Sequence, residues 1–584
     1  MHDSDTPLRG ALRFLVPYRK RVLFGCAMLL ATSALALTIP YYLGKIVDAL
    51  RGPSPSETIP RLALFMGGLA IFQALTRIWS RVAIFNAARM AEFDIRSKLF
   101  RHLLSMDQKF MSSKTSGDLM SRLTSDVQTL RALWGPAILN VVNTTFIFSV
   151  ALFLMFRIDW RLTLWAALPY PAMVGLGAIF GRQIDRASRA VQEELGFLTS
   201  RVQEDLSGIG VIRTYGLERA REDKFQQSSS TLLKKNMKLA LIRGQLAPVL
   251  GGVASLGTVA VLWVGGHAVA EGRIGLGQLI QFNGYLLLLV WPTLALGWML
   301  SLFQRGFASY QRVQMLLGTP SSIQDGNAAP GPLKGKLEIK NFSLSLGGID
   351  VLKNVSISID AGQTVAIVGR TGSGKSVLID SIARIHDVPR GSIFIDGHDI
   401  VDLPLHTLRG ALGYAPQDAF LFSRTLSENI LMGLNRGDSE RPASEEDILS
   451  AARSAGLARD LDTLPNGLET MVGERGVTLS GGQRQRVALA RALATKPAVL
   501  LLDDSLSSVD AETEKTILTE LETETRDRTS ILISHRVAAV TMADVILVMD
   551  EGRVVEQGTH EQLLAKNGVY SDVYRSQIQT GGAL

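Results

Sequence analysis

The chain has 584 residues, enough for more than one domain, with 20% charged and 47% hydrophobic residues and a positive mean hydropathy. That balance puts part of it in lipid, while the formal net charge of +7 raises nucleic acid as a partner, a question that the placement of the charge decides. The single cysteine, Cys26, excludes an intramolecular disulfide framework and a cysteine-based metal cluster, and reads as a small apolar residue of a membrane helix.

The N-terminal stretch MHDSDTPLRGALRF begins with acids and lacks the apolar core and cleavage site of a secretory signal, so the first hydrophobic segment is expected to be retained. From Leu15 to about Leu50 runs an apolar stretch long enough to span a bilayer. Comparable runs follow near Leu62–Phe85, Leu133–Phe156, Leu162–Phe180, Leu246–Val269 and Leu276–Phe303, giving six predicted spans. Polar helical continuations, from Ala87 through Leu104 and from Ile184 through Leu206, predict helices that leave the membrane and run on into water.

Basic residues mark the orientation. Arg9, Arg13, Arg19, Lys20 and Arg21 precede the first span, and the long connections after the second and fourth spans are also basic. The remaining connections are short and carry little charge. By the positive-inside rule both termini and both long loops are cytoplasmic. The basic excess is thereby assigned to surfaces near the bilayer, which argues against a nucleic-acid partner. Within the spans, Gln73, Arg77 and Arg81 share a helical face, the last span carries Gln281, Asn283, Gln304 and Arg305, and Trp79, Trp291 and Trp298 add aromatic surface. These residues line a substrate pathway or glue helices together, with the arginines reaching the headgroups.

Near Gly318 the composition changes. Residues 1–317 read as a membrane domain, 318–336 as a Gly/Pro/Ser-rich linker, and 337–584 as an α/β domain built around a mainly parallel sheet. Inside the last lies Gly369-Arg370-Thr371-Gly372-Ser373-Gly374-Lys375-Ser376, between the apolar run Thr364–Val368 and the helical start Val377–Asp380. Strand, loop and helix in that order make a phosphate-binding loop. The glycines let the backbone curl so that successive N–H groups and the helix dipole face the phosphates. Lys375 can then reach the β- and γ-phosphates, and the Ser376 hydroxyl can ligate Mg²⁺. Val499–Asp503 reads as a buried strand ending in a carboxylate that holds the same ion through water.

Leu479-Ser480-Gly481-Gly482-Gln483, opening a predicted helix over 483–494, is a second phosphate-facing helix start. A phosphate loop and this LSGGQ string in one chain resemble the ATP-binding-cassette ATPases, and with six preceding spans the whole chain resembles ABC exporters of the half-transporter type. The resemblance implies a membrane all-α domain of six spans, like that of type I exporters, followed by an α/β P-loop cassette. It implies Gln417 as the glutamine that senses Mg²⁺, Gly473–Gly476 as the X-loop, Ser507–Asp510 as the D-loop and His535 as the γ-phosphate switch. It implies Gly117–Val127 and Ser207–Glu218 as the loops whose coupling helices dock on the cassettes. ATP and Mg²⁺ would lie between one chain's phosphate loop and its partner's Ser480, Gly481, Gly482 and Gln483.

Two positions depart from that pattern. Asp504 stands where the family usually has the glutamate that acts as general base, and Leu346 stands where an aromatic usually stacks on adenine, with Phe342 as a possible substitute. A carboxylate one methylene short costs roughly a hundredfold in rate when it leaves the base about 1 Å from its place. Asp504 together with an intact LSGGQ resembles the slow-site member of heterodimeric bacterial multidrug-resistance-like exporters. The expected protein is therefore one half of an ATP-driven exporter of amphipathic small molecules or lipids, in a bacterial cytoplasmic membrane, paired with a second half-transporter. A homodimeric exporter or lipid flippase and an ATP-gated regulatory membrane protein are the alternatives.

Overall fold

A computed structural model describes residues 7–50, 54–434, 444–473, 476, 479–508, 511–525 and 528–581. They form two compact units, one of residues 1–104 and 115–319 and one of residues 105–114 and 320–584.

The first unit is helical. Its six long helices are α1 (Arg19–Ala49), α2 (Pro55–Leu104), α3 (Ile138–Ile158), α4 (Pro169–Ser207), α5 (Glu218–Ala270) and α6 (Leu276–Gly318). Among the described residues six helical segments are long and apolar enough to cross a membrane. The 53 residues of α5 extend for about 80 Å at about 1.5 Å per residue, far beyond a hydrocarbon core of about 30 Å. Large apolar side chains such as Leu64, Ile71 and Phe72 point out of the bundle, as they do when lipid is the solvent. Small residues bring the helices together: a Cβ on Gly44 would lie 2.5 Å from the Gly277 carbonyl, and one on Gly284 would lie 2.8 Å from Pro40. Asp48 of α1 accepts from the Gly277 N–H at 2.8 Å and ties α1 to the start of α6.

The stretch leading into α3 contains two π-helical turns, Arg122–Asp126 and Leu133–Ala137. The first aims Asp126 into the bundle, where its carboxylate is nearly fully buried and accepts from Ser309 Oγ at 2.9 Å and Arg312 Nε at 2.8 Å. Arg122 donates to the Arg312 carbonyl at 3.2 Å, so the approach to α3 and the end of α6 are braced from both sides.

Among its described residues the second unit holds ten strands: β1 (Leu337–Leu346), β2 (Ile349–Ile359), β3 (Thr364–Gly369), β4 (Ile393–Ile395), β5 (His398–Asp399), β6 (Leu412–Ala415), β7 (Val499–Asp503), β8 (Thr529–Ile533), β9 (Val545–Asp550) and β10 (Arg553–Gly558). One sheet has the order β10-β9-β3-β8-β7-β6 and is parallel except for β10. β3, β7 and β8 are buried along their whole length, which suits a parallel sheet covered on both faces and explains their uninterrupted apolar runs. A second, antiparallel sheet, β2-β1-β4-β5, was not legible in the apolar pattern, because bulges in β1 break its alternation. Beside the phosphate loop, helix α7 (Lys375–Ile382) follows β3, and helix α8 (Gly481–Ala494) carries the LSGGQ string.

Much of the Gly/Pro-rich stretch after Gly318 is strapped to this unit. The Asp396 carboxylate accepts from the N–H groups of Lys334 (2.6 Å), Gly335 (3.1 Å) and Lys336 (2.9 Å). Asp325 accepts from the Leu405 N–H at 2.6 Å, and the Ala328 N–H donates to the Asp402 carbonyl at 2.9 Å. Residues 105–114 belong to the same unit: Asp107 caps the short helix Gln108–Ser113 and accepts from the Ser322 N–H at 3.0 Å. Gly117–Val127 and Ser207–Glu218 remain in the helical unit.

Candidate nucleotide site and membrane cavity

The parallel sheet sets the site. β3 delivers the loop at its C-terminal end, β7 ends beside it with Asp503 and Asp504, β8 leads to His535, and β6 leads to Gln417. A cavity of about 500 Å³ is lined by Thr371, Gly372, Ser373, Gly374, Lys375, Ser376, Gln417, Asp503, Asp504 and His535, with Val351 of β2 as an apolar wall. These residues are spread over more than 150 positions of the chain and meet because ligands in parallel α/β sheets bind beyond the carboxyl ends of the strands.

Glycine is required at two turns of the loop: Gly372 has φ +83° and Gly374 φ +95°, and a Cβ on Gly374 would lie 2.9 Å from Leu352 Cδ2. Gly369 and Arg370 turn their carbonyls onto the Lys375 ammonium, each at 2.9 Å. Lys375 is buried, and the loss of water lowers its pKa, against the pull of Asp503 and Asp504. Ser373 Oγ is buried with no hydrogen-bond partner among the described residues, an orphaned polar atom in a loop shaped to receive an anion. Ser376 Oγ donates to Asp503 Oδ1 at 3.1 Å. This oxygen-only pair suits a hard divalent cation such as Mg²⁺. The loop therefore fits a phosphate and its metal.

Burial raises the pKa of Asp503, helped by Asp380 and Asp504 and opposed by Ser376 and Lys375. Burial also raises the pKa of Asp504, opposed by His535, Arg536 and Lys375. Asp504 sits in the left-handed region at φ +43°, its N–H donating to the Ile533 carbonyl at 3.0 Å. Asp and Asn are the side chains that best tolerate that conformation. Gln417 and His535 are exposed at the cavity.

Phe342 does not face this cavity. It is fully buried and pairs with Val355, inside the core beneath the antiparallel sheet. Leu346 is half-buried beside the Gly347-Gly348 turn. The bulges between them explain why counting along the strand could not assign their faces.

The LSGGQ string lies away from the cavity lining. Ser480 is the exposed N-cap of α8, which begins at Gly481, two residues before the predicted start. Its N–H donates to Gln483 Oε1 at 2.9 Å, and the Gln483 N–H donates to Ser480 Oγ at 3.2 Å, a closed capping box. Two hydrogen bonds that sequence reading missed hold this segment: Gln485 Nε2 donates to Ser507 Oγ, and its Oε1 accepts from the Ser508 N–H, both at 2.9 Å. A Cβ on Gly482 would lie 2.7 Å from the Ser508 carbonyl. Val509 and Asp510 of the D-loop, and Glu474 and Arg475 of the X-loop, lie outside the described residues.

In the helical unit a cavity of about 620 Å³ is lined by Gln73, Arg77, Ser80 and Arg81 of α2, Thr32 and Ser33 of α1, Asn140 and Asn143 of α3, and Trp291 of α6, among apolar neighbours. Asn140 and Asn143 were missed, although two amides three residues apart in an apolar span are a readable signal. Of the other polar residues singled out in the last span, Gln281 donates to Tyr285 Oη at 3.0 Å and Arg305 donates to Ser301; none of Gln281, Asn283, Gln304 and Arg305 lines the cavity. Trp79 and Trp298 are exposed on the bundle.

Comparison with known proteins agrees with both halves. Residues 22–293 match the family model of the ABC transporter transmembrane region, and residues 352–507 match the family model of the ABC transporter. The chain is 37% identical over 582 residues to the probable multidrug resistance ABC transporter ATP-binding/permease protein YheI of Bacillus subtilis, covering 98% of each chain. It is 34% identical to the multidrug resistance-like ATP-binding protein MdlA of Escherichia coli (96% of this chain, 94% of that one) and 31% identical to the ATP-dependent lipid A-core flippase of Syntrophus aciditrophicus (97% and 94%). A solved structure of a bacterial Atm1-family ABC exporter with ATP bound superimposes with a TM-score of 0.79 at 26% identity, covering 96% of this chain and 98% of that one. With a transmembrane region and one ATP-binding cassette matched in order along its length, the chain belongs to the ABC transporters and has the architecture of a half-transporter.

Proposed function

We propose that the chain is one half of an ATP-driven exporter of amphipathic molecules in a bacterial cytoplasmic membrane, both termini cytoplasmic. The observation that carries this reading is the cavity joining Lys375, Ser376, Gln417, Asp503, Asp504 and His535, in a chain that also supplies six spans. Lys375, Ser373 and the loop N–H groups would hold the phosphates of ATP. Ser376 and Asp503, with Gln417, would hold Mg²⁺, which neutralises phosphate charge when bound. Asp504 is the candidate base for the attacking water, and His535 the contact to the γ-phosphate.

Ser480 lies outside this cavity, and in this reading a second cassette lends its own signature serine to complete the site. An apolar patch at the loop between α4 and α5 supports a partner as well: Val211 and Tyr215 are 58% and 74% exposed. We favour a heterodimer in which this chain's phosphate loop forms the slow site and its Ser480, Gly481, Gly482 and Gln483 complete the partner's fast one. ATP binding can do mechanical work only by preferring one conformation of the pair.

The test is ATP-driven uptake into inside-out vesicles containing the chain with its co-expressed partner half-transporter. Accumulation against a gradient supports the reading. Passive flux that merely switches on with bound ATP would sink it.

A further inference from the structure

The membrane cavity has two chemically different ends. Thr32 of α1 donates to Thr76 of α2 at 2.9 Å, and Ser33 donates to Asn143 at 2.9 Å, which places Arg77 and Asn143 at about one level, with Arg81 one helical turn further along α2. Gly284 meets Pro40 further along α1, so Ile39, Leu43 and Leu287 form the opposite, wholly apolar end. Among the described residues no carboxylate lines the cavity, and neither the Arg77 nor the Arg81 guanidinium has a hydrogen-bond or ion-pair partner. Asn143 accepts from Ser33 through Oδ1, which leaves its NH₂ group to donate. Two uncompensated guanidinium groups in an apolar span are costly unless something anionic meets them, and their planar forks match carboxylate, sulfate or phosphate. The volume of about 620 Å³ is that of a site for a drug-sized molecule.

We propose that this cavity binds amphipathic anions, the headgroup held by Arg77 and Arg81 and the apolar body lying toward Leu43 and Leu287. The proposal deepens the exporter reading and rests on it only in treating the occupant as cargo. The shared chemistry is an anionic head on an apolar body, supplied either by a membrane lipid or by a free amphiphile.

The test uses the full chain, with any partner that co-purifies, in phosphatidylcholine nanodiscs without ATP. Three fluorescent probes share one body: 11-(dansylamino)undecanoate, its primary amide and a trimethylammonium analogue. The carboxylate is expected to bind at least about tenfold more tightly than the cation, the scale of one charge-assisted hydrogen bond out of water. Changing Arg77→Gln together with Arg81→Gln is expected to abolish that ranking, and Arg77→Lys with Arg81→Lys to keep it. Equal affinities in the wild type overturn the proposal. So does a glutamine pair that melts normally and still prefers the carboxylate. If the glutamine pair does not fold, the wild-type ranking decides alone. Doping the discs with phosphatidylglycerol separates the sources: displacement of the bound carboxylate assigns the site to a lipid headgroup, and persistence assigns it to free amphiphiles, each supporting an anion site. ATP-driven uptake of the cationic probe by a protein with no charge preference would overturn this inference and leave the exporter reading standing. Anion binding with no ATP-driven movement would do the reverse.

Discussion

At residue scale, the proposed slow site puts Asp504 in control of how fast the chain's own site would turn over. Its carboxylate is the candidate base, and its left-handed backbone, φ +43°, favours Asp over Glu. Asp504→Glu is expected to raise the ATPase rate of this chain's site by up to about a hundredfold, at about 1 kcal/mol of backbone strain read as a lower melting temperature. Unchanged turnover would show that the base's reach is not limiting. Gly481 and Gly482 give a second contrast at adjacent positions. A Cβ on Gly481 would sit 3.6 Å from Ser508 Cβ, an ordinary contact, whereas one on Gly482 would lie 2.7 Å from a backbone carbonyl. Gly482→Ala is therefore expected to destabilise the protein by about 1–3 kcal/mol and Gly481→Ala by much less, as compared by thermal melting.

At the scale of elements, one ion pair braces the approach to α3 against α6. The Asp126 side chain is 5% exposed and that of Arg312 48%, so the pair is buried at the acid and wet at the base. Arg312→Ala would leave Asp126 with the Ser309 hydroxyl alone. Discounted for the exposure of the arginine, the expected loss is about 1–2 kcal/mol, seen as a melting temperature lower by a few degrees. Arg312→Lys should recover part of it. The strap before β1 works through a different chemistry: Asp396 collects three backbone N–H groups from 334–336. Its replacement by Ala is expected to release the strap, measured as faster amide exchange confined to those residues.

At the scale of the whole molecule, the proposal gives each ATP site a second cassette, and the roles of the two sites become separable. In the proposed heterodimer, Asp504→Asn should change the ATPase rate of the assembled pair little, because this site is already slow. Ser480→Arg in the same chain should abolish most of it, because Ser480 serves the partner's fast site. Equal losses from both substitutions would instead indicate a symmetric homodimer. The measurement is steady-state phosphate release by the purified pair.

The sequence by itself determined the six spans, the phosphate loop, the LSGGQ helix and the membership of an α/β cassette. Each depends on local periodicity or on the spacing of a few residues, and both are properties of a linear chain. Only the tertiary structure decided where those parts meet. Gln417, Asp503, Asp504 and His535 join Lys375 because four separated strands end at one edge of a parallel sheet. Phe342 turns into the core because bulges in β1 shift its face, which no count of alternation reveals. Gln73, Arg77 and Arg81 could be placed on one helical face from spacing alone. Whether that face met lipid, another helix or a cavity depended on how α1, α3 and α6 pack around it, and such packing is set by long-range contacts between side chains far apart in the chain.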